Sequence, residues 1–223
     1  MKTKSTLRRL SLVMIATALV FTGCKKDQED ENNGGSGSTT NVINGHEYVD
    51  LGLPSGTKWA TCNVGATTPE GYGNYYAWGE TTTKSSYTCE NSRTFGVSMN
   101  DDISGNPTYD AASANWGGTW RLPTMSEMEE LVNNCTWTWT TQNGVNGCTV
   151  IGPNGNSLFL PAAGYCGESS CNLVGEFGDY WSSTPYESND DDDYAYYLYL
   201  GSGERGVAWS GRYDGHPVRP VSD

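Results

Sequence analysis

The clearest indication of the fold is the segment WGGTWRLPT at residues 116–124. Its two glycines favour positive φ angles, so they end any helix that begins upstream at Thr108 or Asp110. Its last residue, Thr124, is a good N-cap, and Glu127 follows three positions later to complete a capping box. A second helix with an apolar stripe is therefore predicted to begin directly after Thr124.

Short strands surround the two predicted helices. Apolar runs broken by Gly, Pro and Asn turns predict strands in these segments, and the turn at residues 153–155 predicts a hairpin. Strands, two helices and again strands, in this order, are typical of an α+β domain with an antiparallel sheet core. The predicted strands are residues 48–56 with their closing turn, 58–64, 75–78, 136–141, 149–151, 157–160, 180–183, 194–200, 206–210 and 218–221.

The amino terminus predicts export. Residues 1–23 combine a basic start with a short apolar run, which is the pattern of a signal peptide. The run ends in Phe-Thr-Gly before Cys24, which resembles the lipobox, where a lipid is attached to the cysteine and the peptide is cut. An ordinary signal peptide with a chance cysteine is the alternative, but no Ala-x-Ala site follows. We therefore expect a lipid-anchored protein of the outer membrane, displayed on the cell surface.

Residues 24–41 are predicted to form a flexible tether. They are charged and then rich in Gly and Ser, a composition that cannot bury a core. Their acidic cluster at residues 27–31 resembles surface-export signals of lipoproteins, and a solvated spacer explains it equally well. The remaining residues, 42–223, are long enough for one domain with its own core. We expect this domain to be monomeric and to touch the membrane through the lipid alone.

The chain is strongly acidic. It carries 13 basic and 26 acidic residues, a formal net charge of −13, and four of the basic residues lie in the predicted signal peptide. Such a protein repels phosphate, so nucleic acid is not expected as a partner. Eight Trp and 14 Tyr residues provide aromatic area for packing or for binding.

Six cysteines follow Cys24, and an even number in an exported protein favours disulfides. We expect one bond between Cys166 and Cys171, which are close enough to close a small loop. A second bond is predicted between Cys62 and Cys135. A zinc site is the rival interpretation, but the chain lacks CxxC spacing and contains only two histidines.

Five ordered motifs resemble one family over residues 46–222. They are similar to the Fibrobacter succinogenes major paralogous domain, whose members are largely extracytoplasmic proteins, many of them lipoproteins. The motifs are GLPSGTKWA at residues 52–60, YAWGE at 76–80, WGGTWRLPT at 116–124, WSS at 181–183 and VRPV at 218–221.

A second resemblance concerns the fold. The RLPT turn at residues 121–124 and the terminal VRPV motif are similar to parts of the formylglycine-generating-enzyme branch of the C-type lectin fold. This resemblance implies a C-type-lectin-like domain with two helices and twisted antiparallel sheets. Some members of that branch are variable proteins of diversity-generating retroelements, which carry variable residues on a ligand-binding face near the carboxyl end. Residues 180–221 resemble such a region, because scaffold-like segments alternate there with idiosyncratic ones.

Catalysis is not expected. Formylglycine-generating enzymes use cysteines in the carboxyl-terminal part of the domain, and this chain has none after Cys171. Neither His46 nor His216 has a motif that would support a Ser-His-Asp arrangement. No cofactor is expected either. Calcium at residues 187–193 is the alternative, but neighbours in an extended run alternate sides, and the Glu-Pro-Asn signature of calcium-dependent lectins is absent.

A ligand site is predicted in the carboxyl-terminal third. Arg121 and Arg219 are predicted to be scaffold residues that stabilise turns. In the strand at residues 194–200 tyrosines face both ways, so either one row contacts a ligand or both rows pack. The predicted ligand contacts are Glu187, Asn189, Asp190, Asp192, Arg205, Trp209, Arg212, Tyr213, Asp214 and His216.

These features predict a surface-displayed binding protein. The expected ligand is a protein or a glycan, and the acidic charge favours a basic protein over an acidic polysaccharide. The rival hypothesis is a structural or adhesive surface component whose aromatic residues are mainly core. A third hypothesis, an enzyme related to the formylglycine-generating enzymes, is disfavoured by the missing cysteines.

Overall fold

The structure, a computed structural model, describes residues 41–186 and 193–223. The predicted signal peptide, the lipid-attachment residue Cys24 and almost all of the tether lie outside these residues. No helix in the described part of the chain is long and apolar enough to cross a membrane. Four of the predicted ligand contacts also lie outside it: Glu187, Asn189, Asp190 and Asp192.

Both predicted α-helices are confirmed. Helix α1 spans Ala111–Trp116 and helix α2 spans Met125–Asn134, and a short 3-10 helix spans Cys89–Asn91. The two α-helices account for little of the chain, so the fold is dominated by strands and loops. The predicted α+β class is therefore correct.

Helix α1 is fixed by a buried carboxylate at its start. The Asp110 side chain accepts hydrogen bonds from the backbone nitrogens of Ala112 (2.8 Å) and Ser113 (3.0 Å). It also accepts one from the backbone nitrogen of Leu122 (2.8 Å), which ties the helix to the turn that precedes α2. Gly117 ends the helix with a φ of 65°, a conformation that a residue without a Cβ adopts at no steric cost.

Helix α2 begins with the predicted capping box. The Thr124 hydroxyl accepts from the backbone nitrogen of Glu127 (3.2 Å), and the Glu127 carboxylate accepts from the backbone nitrogen of Thr124 (2.8 Å). Arg121 donates to both carboxylate oxygens of Glu127, at 2.8 and 2.7 Å. The RLPT turn and the first helical turn thus form one hydrogen-bonded unit, and Met128 and Leu131 of the same helix are buried in the core.

The described residues form 14 strands in five small sheets, and every pairing between strands is antiparallel. The predicted hairpin at residues 149–160 is present as β6 and β7. The strands are β1 (Val42–Ile43), β2 (His46–Asp50), β3 (Lys58–Ala60), β4 (Tyr75–Tyr76), β5 (Thr136–Gln142), β6 (Val145–Ile151), β7 (Ser157–Pro161), β8 (Tyr165–Gly167), β9 (Ser170–Asn172), β10 (Gly178–Pro185), β11 (Tyr194–Leu200), β12 (Arg205–Gly211), β13 (His216–Pro217) and β14 (Val221–Ser222). The sheets run β1-β2-β3-β14, β10-β11-β12, β13-β4, β5-β6-β7 and β8-β9.

The sheet β10-β11-β12 contributes to two hydrophobic cores. Leu198 and Leu200 of β11 belong to the first core, together with residues of α2 and of β5-β6-β7. Ala195 and Tyr197 contact the second core, together with α1 and Trp120. Because neighbouring side chains on a strand point in opposite directions, a single strand can supply both cores. Both rows of β11 therefore take part in packing, while its four tyrosines stay half-buried.

The predicted terminal strand at residues 218–221 is interrupted in the structure. Strands β13 and β14 pair with β4 and β3, and Arg219 lies in the gap between them. The buried guanidinium of Arg219 donates to the Asn63 side-chain oxygen (2.7 Å) and to the backbone oxygens of Ala60 (3.0 Å) and Thr61 (2.6 Å). These bonds confirm the predicted scaffold role of Arg219.

The cysteines differ in part from the prediction. Cys166 and Cys171 form a disulfide, which confirms that pairing. The predicted pairing of Cys62 with Cys135 is wrong, because both are free thiols. Cys135 directly follows α2 and is buried in the first core, whereas Cys62 follows β3 and lines a separate cavity beside Trp116.

Candidate ligand-binding site

Arg212, a predicted ligand contact, lies in the interior of the domain. Its side chain is fully buried, and its guanidinium carbon lies 4.6 Å from the centroid of the Trp78 ring. Its Nε donates to the backbone oxygen of Tyr194 (3.0 Å), and its terminal nitrogens donate to those of Val97 (3.0 Å) and Met99 (3.1 Å). The prediction that Arg212 contacts a ligand is therefore wrong, since its donors hold the backbone of neighbouring segments.

His216 is also wrongly predicted as a contact. It is 2% exposed, its ring stacks on that of Trp181 at a centroid distance of 4.0 Å, and the Tyr197 ring lies edge-on at 5.0 Å. Burial lowers the pKa of His216 to about 3, so the imidazole is neutral at physiological pH. Its Nδ1 has no hydrogen-bond partner within the described residues. The ring is enclosed by aromatic side chains and does not face solvent.

Trp209 and three tyrosines form an exposed surface, which we call the aromatic patch (Tyr186, Tyr194, Tyr196 and Trp209). Trp209 is 51% exposed, and its ring centroid lies 4.9 Å from that of Tyr194 and 5.4 Å from that of Tyr186. Tyr196 lies directly opposite Trp209 in the register of β11 and β12. Arg205 is exposed on β12, four residues before Trp209, and its guanidinium carbon lies 5.9 Å from a tryptophan ring of β5.

Tyr213 and Asp214 line a groove of about 570 Å³. The groove lies between the 3-10 helix and the hairpin formed by β8 and β9. It contains three carboxylates, those of Glu90, Glu168 and Asp214, and none of its described lining residues is basic. We call it the acidic groove, and its aromatic, thiol and carboxylate residues are Tyr87, Cys89, Glu90, Tyr165, Glu168, Tyr213 and Asp214.

Backbone hydrogen bonds hold the hairpin that forms one wall of the acidic groove. Tyr87 and Glu168 exchange backbone hydrogen bonds of 2.7 and 2.8 Å, and Cys166 and Gly215 exchange two of 2.7 Å. The disulfide to Cys171 closes the same hairpin. Since backbone atoms fix the wall, substitution of its outward side chains leaves these bonds intact.

Two glycines make room for tyrosine rings of the groove. A Cβ atom at Gly211 would lie 2.6 Å from the Tyr213 ring, and one at Gly215 would lie 2.7 Å from the Tyr87 ring. Side chains cannot approach this closely, so each ring rests against a backbone that only glycine permits. Neither glycine is among the residues predicted from the sequence, although an aromatic residue close to a glycine, as in Gly211 and Tyr213, is a usable sequence signal.

Asp179 was also missed by sequence reasoning. It lies on β10 opposite Tyr199, and it is only 7% exposed although it is an acidic residue. Burial, and then the neighbouring charge of Asp214, raise the pKa of Asp179 to about 7. Burial also raises the pKa of Asp214, although the hydrogen bond that the Ser210 hydroxyl donates to it (2.7 Å) lowers this pKa. The sequence signal is a lone carboxylate in the otherwise neutral strand GDYWSSTP.

The alternative calcium site comprises residues 187–193, and Asp193 is the one residue of this run that the structure describes. Its side-chain oxygen accepts a hydrogen bond from the backbone nitrogen of Gly96 (2.9 Å). Across residues 41–186 and 193–223, no three His, Cys, Asp or Glu side chains are arranged to hold a metal ion. The rest of the calcium alternative concerns residues 187–192, outside the described residues.

Comparison with known proteins gives one match. A family model described as the Lcl C-terminal domain matches residues 53–222, a range that contains the acidic groove and the aromatic patch. No curated protein and no solved structure matches the chain. The matched range lies within residues 46–222, over which the five motifs occur, while the likeness to the Fibrobacter succinogenes domain stays a prediction. Because the model matches more than half of the chain, the chain belongs to the family of the Lcl C-terminal domain.

Proposed function

We propose that this domain binds a macromolecular ligand through the acidic groove and the aromatic patch. The groove carries this proposal, because it places three carboxylates beside the half-buried rings of Tyr165 and Tyr213. Tyrosine supplies a large contact area at low entropic cost, and a few convergent polar groups orient a ligand. The ligand is a protein or a glycan, and the negative charge favours a basic protein. The same charge argues against nucleic acid.

The aromatic patch extends this surface. Trp209 is the most exposed large apolar side chain of the described residues, and exposed aromatic residues are enriched where proteins bind partners. Tyr194 of the patch pairs with Gly211 in the register of β11 and β12, and Gly211 lies directly against the ring of Tyr213 in the groove. One ligand can therefore contact the patch and the groove together, with Arg205 further along the same strand.

We propose that the domain is displayed on the cell surface as a monomeric lipoprotein of the outer membrane, anchored at Cys24 through the tether at residues 24–41. We propose no catalytic role. The His46 ring stacks on that of Trp116 at 3.7 Å and the His216 ring stacks on that of Trp181, so both histidines are engaged in packing. The cysteines of the formylglycine-generating enzymes have no counterpart after Cys171.

We further propose a C-type-lectin-like fold related to the Fibrobacter succinogenes domain, with residues 180–221 as a variable region. The backbone pairing of β10, β11 and β12 supports this proposal, because exposed residues such as Arg205 and Trp209 can change without loss of the strand register. Comparison of the 3′ coding segment with neighbouring DNA tests it. We expect a near-identical template repeat and a reverse transcriptase gene, and the absence of both would contradict variability by a retroelement.

An array of proteins and glycans tests ligand binding directly. The mature chain is compared with the variants Trp209→Ala and Tyr213→Ala, and with the control Val42→Ala, which shortens an exposed apolar side chain of β1. We expect at least about a tenfold loss of signal in one of the two test variants and none in the control. Calorimetric titration with Ca²⁺ in parallel tests the calcium alternative. Absence of binding heat together with an unchanged unfolding temperature would contradict it.

The rival function is a structural or adhesive coat without a defined ligand site. Unchanged array binding in both test variants would overturn the proposed surface and favour this rival. Loss of binding in the Val42→Ala control as well would point to a general loss of structure. Thermal unfolding of all variants separates these two outcomes, because Trp209 and Tyr213 are partly exposed and their truncation should leave the cores intact.

A further inference from the structure

We propose that the free edge of β12 binds an extended, basic segment of a protein ligand as an additional β-strand. This inference rests on the proposed function and deepens it, because it selects a protein ligand and states how the backbone of that ligand is held. The site is the outer side of Arg205–Gly211, between the aromatic patch and the acidic groove.

The hydrogen-bond phase of the β11–β12 hairpin is fixed at both of its ends. At the turn, the backbone nitrogen of Gly201 donates to the backbone oxygen of Glu204 (2.8 Å). Beyond the other end, the backbone nitrogen of Arg212 donates to the backbone oxygen of Asp193 (2.8 Å). Pairs with and without hydrogen bonds alternate along an antiparallel ladder. In this register the residues of β12 that are hydrogen-bonded to β11 are therefore Gly206, Ala208 and Ser210.

The alternate residues of β12 present their backbone outward. Arg205, Val207 and Trp209 point their N–H and C=O groups away from β11. Strand β12 is the last strand of its sheet, and within the described residues none of these groups makes a hydrogen bond. Arg205 and Trp209 are exposed and Val207 is half-buried, so the row reaches solvent.

The edge is not protected against pairing. Natural proteins usually blunt an exposed strand edge with charged residues, proline or a covering element. The only charged residue of β12 is Arg205, at its first position, and the strand contains no proline. A seven-residue strand with a free and mainly uncharged edge is the feature that several peptide-binding domains use to add a partner strand.

The aromatic patch supplies side-chain contacts for an added strand. Side chains of neighbouring strands lie beside one another on each face of a sheet. On one face an added strand meets Trp209, and Tyr196 lies opposite Trp209 on β11. A lysine or arginine of the ligand can place its apolar stem and its positive charge against the tryptophan ring.

Negative charge at both ends of β12 favours a basic segment. The exposed Glu204 directly precedes the strand, and near the other end the Ser210 hydroxyl donates to the Asp214 carboxylate (2.7 Å). Gly211 ends the strand, and its backbone oxygen accepts from the backbone nitrogen of Asp214 (2.9 Å), which lines the acidic groove. A basic segment that extends past Gly211 therefore continues toward the carboxylates of the groove.

A synthetic peptide tests the edge without knowledge of the natural ligand. The probe is an acetylated heptapeptide amide of alternating lysine and valine, titrated into the mature chain by calorimetry. The same sequence with every backbone nitrogen methylated keeps the side chains and charges but lacks all backbone donors. A third peptide, with glutamate in place of lysine, reverses the charge. We expect the first peptide to bind, and both controls to bind at least about tenfold more weakly.

Hydrogen exchange of individual amides locates the bound peptide. In the free chain the amides of Arg205, Val207 and Trp209 should exchange rapidly, whereas those of Gly206 and Ala208 should be protected by their bonds to β11. With saturating peptide, exchange at Val207 and Trp209 should slow by at least about tenfold. A peptide held only through its side chains would leave these rates unchanged.

Proline substitution removes a single outward donor. Proline is tolerated at an edge position whose N–H faces solvent. Trp209→Pro and Trp209→Ala both lose the ring, but only the proline variant loses the N–H, so it should bind the peptide at least about fivefold more weakly than the alanine variant. Arg205→Pro and Arg205→Ala repeat the comparison at a second outward N–H. Thermal unfolding checks that the variants are folded, and exchange in the native chain decides the question if a proline variant is not.

The outcomes separate this inference from the proposed function. Absence of peptide binding, equal binding of the methylated peptide, or unchanged exchange at Val207 and Trp209 would overturn the strand site. Equal affinity of the folded proline and alanine variants would do the same. If an array ligand depends on Trp209 or Tyr213 and leaves exchange at Val207 unchanged, the inference fails while the proposed function stands. If the peptide binds as expected and no array ligand is found, the strand site stands while the macromolecular function fails.

Discussion

Replacement of Arg212 by alanine should destabilise the whole domain. Within the described residues, the Arg212 side chain donates four hydrogen bonds to backbone oxygens, one of them that of Tyr194, and its guanidinium lies over the Trp78 ring. Each buried acceptor left without a donor costs about 1 kcal/mol, and the contact with the ring contributes about another 1 kcal/mol. We therefore expect the free energy of unfolding to fall by about 4 to 5 kcal/mol, a large part of the stability of a typical domain.

Arg205→Ala is the matched control for Arg212→Ala. It removes the same side chain from β12, only seven residues earlier, at a position that is exposed. A surface substitution of this kind, which removes only an exposed ring contact at 5.9 Å, should change the free energy of unfolding by less than about 1 kcal/mol. In urea and thermal unfolding followed by tryptophan fluorescence, Arg212→Ala should lower the midpoint temperature by about 10 to 20 °C, and Arg205→Ala should leave it almost unchanged.

The comparison distinguishes a scaffold residue from a ligand contact. If Arg212→Ala unfolded with the same free energy as Arg205→Ala and bound ligand more weakly, Arg212 would be a ligand contact and not a scaffold residue. Arg212→Lys provides an intermediate case. The lysine ammonium keeps the charge but has only three donors without the planar fork, so this variant should recover only part of the lost stability.

Three further predictions concern other parts of the domain. Glu127→Ala removes the capping box and the partner of Arg121, and should lower the free energy of unfolding by about 2 kcal/mol in urea titration; a change below about 0.5 kcal/mol would contradict the capping role. Because the pKa of Asp179 is raised on folding, this group favours the folded state at low pH and loses that contribution as pH rises from about 4 to 7. Asp179→Asn should therefore gain stability relative to the native chain over that pH range, by about 4 kcal/mol at most since each pKa unit corresponds to about 1.4 kcal/mol, and a pH-independent difference would argue against the raised pKa. With a thiol reagent, the exposed Cys89 should react in the folded protein whereas the buried Cys135 should react only on unfolding, and simultaneous reaction would show that the first core opens readily.

The local features of the fold follow from the sequence. The N-cap at Thr124, its capping box with Glu127 and the glycine that ends α1 depend on residues a few positions apart, so propensity and spacing are sufficient to predict them. The same holds for the hairpin of β6 and β7 and for the disulfide at Cys166, each of which closes over a short stretch of chain.

The candidate site depends on contacts that spacing does not reveal. Arg212 has the composition of a binding residue, but a backbone oxygen at Thr94, 118 positions away, is one of its partners. Asp179 is unusual because it is a buried carboxylate in a buried strand, and the charge of Asp214 on another segment adds to the effect of burial on its pKa. Burial of a polar side chain is a property of the assembled structure. The sequence therefore predicts Arg212 as a ligand contact and gives no role to Asp179.

The sheet shared by the two cores has a consequence for how the domain folds. Strands β10 and β11 supply residues to each core, and β12 adds Val207 to the first, so neither core can be completed before these strands are in place. Strand β14 then covers the edge of β3 through the pairing of Val221 with Trp59. A polypeptide truncated before Val221 would leave that edge open, and an unpaired strand edge is a template for aggregation. The pairing of β14 with β3 thus makes the last few residues decisive for solubility as well as for stability.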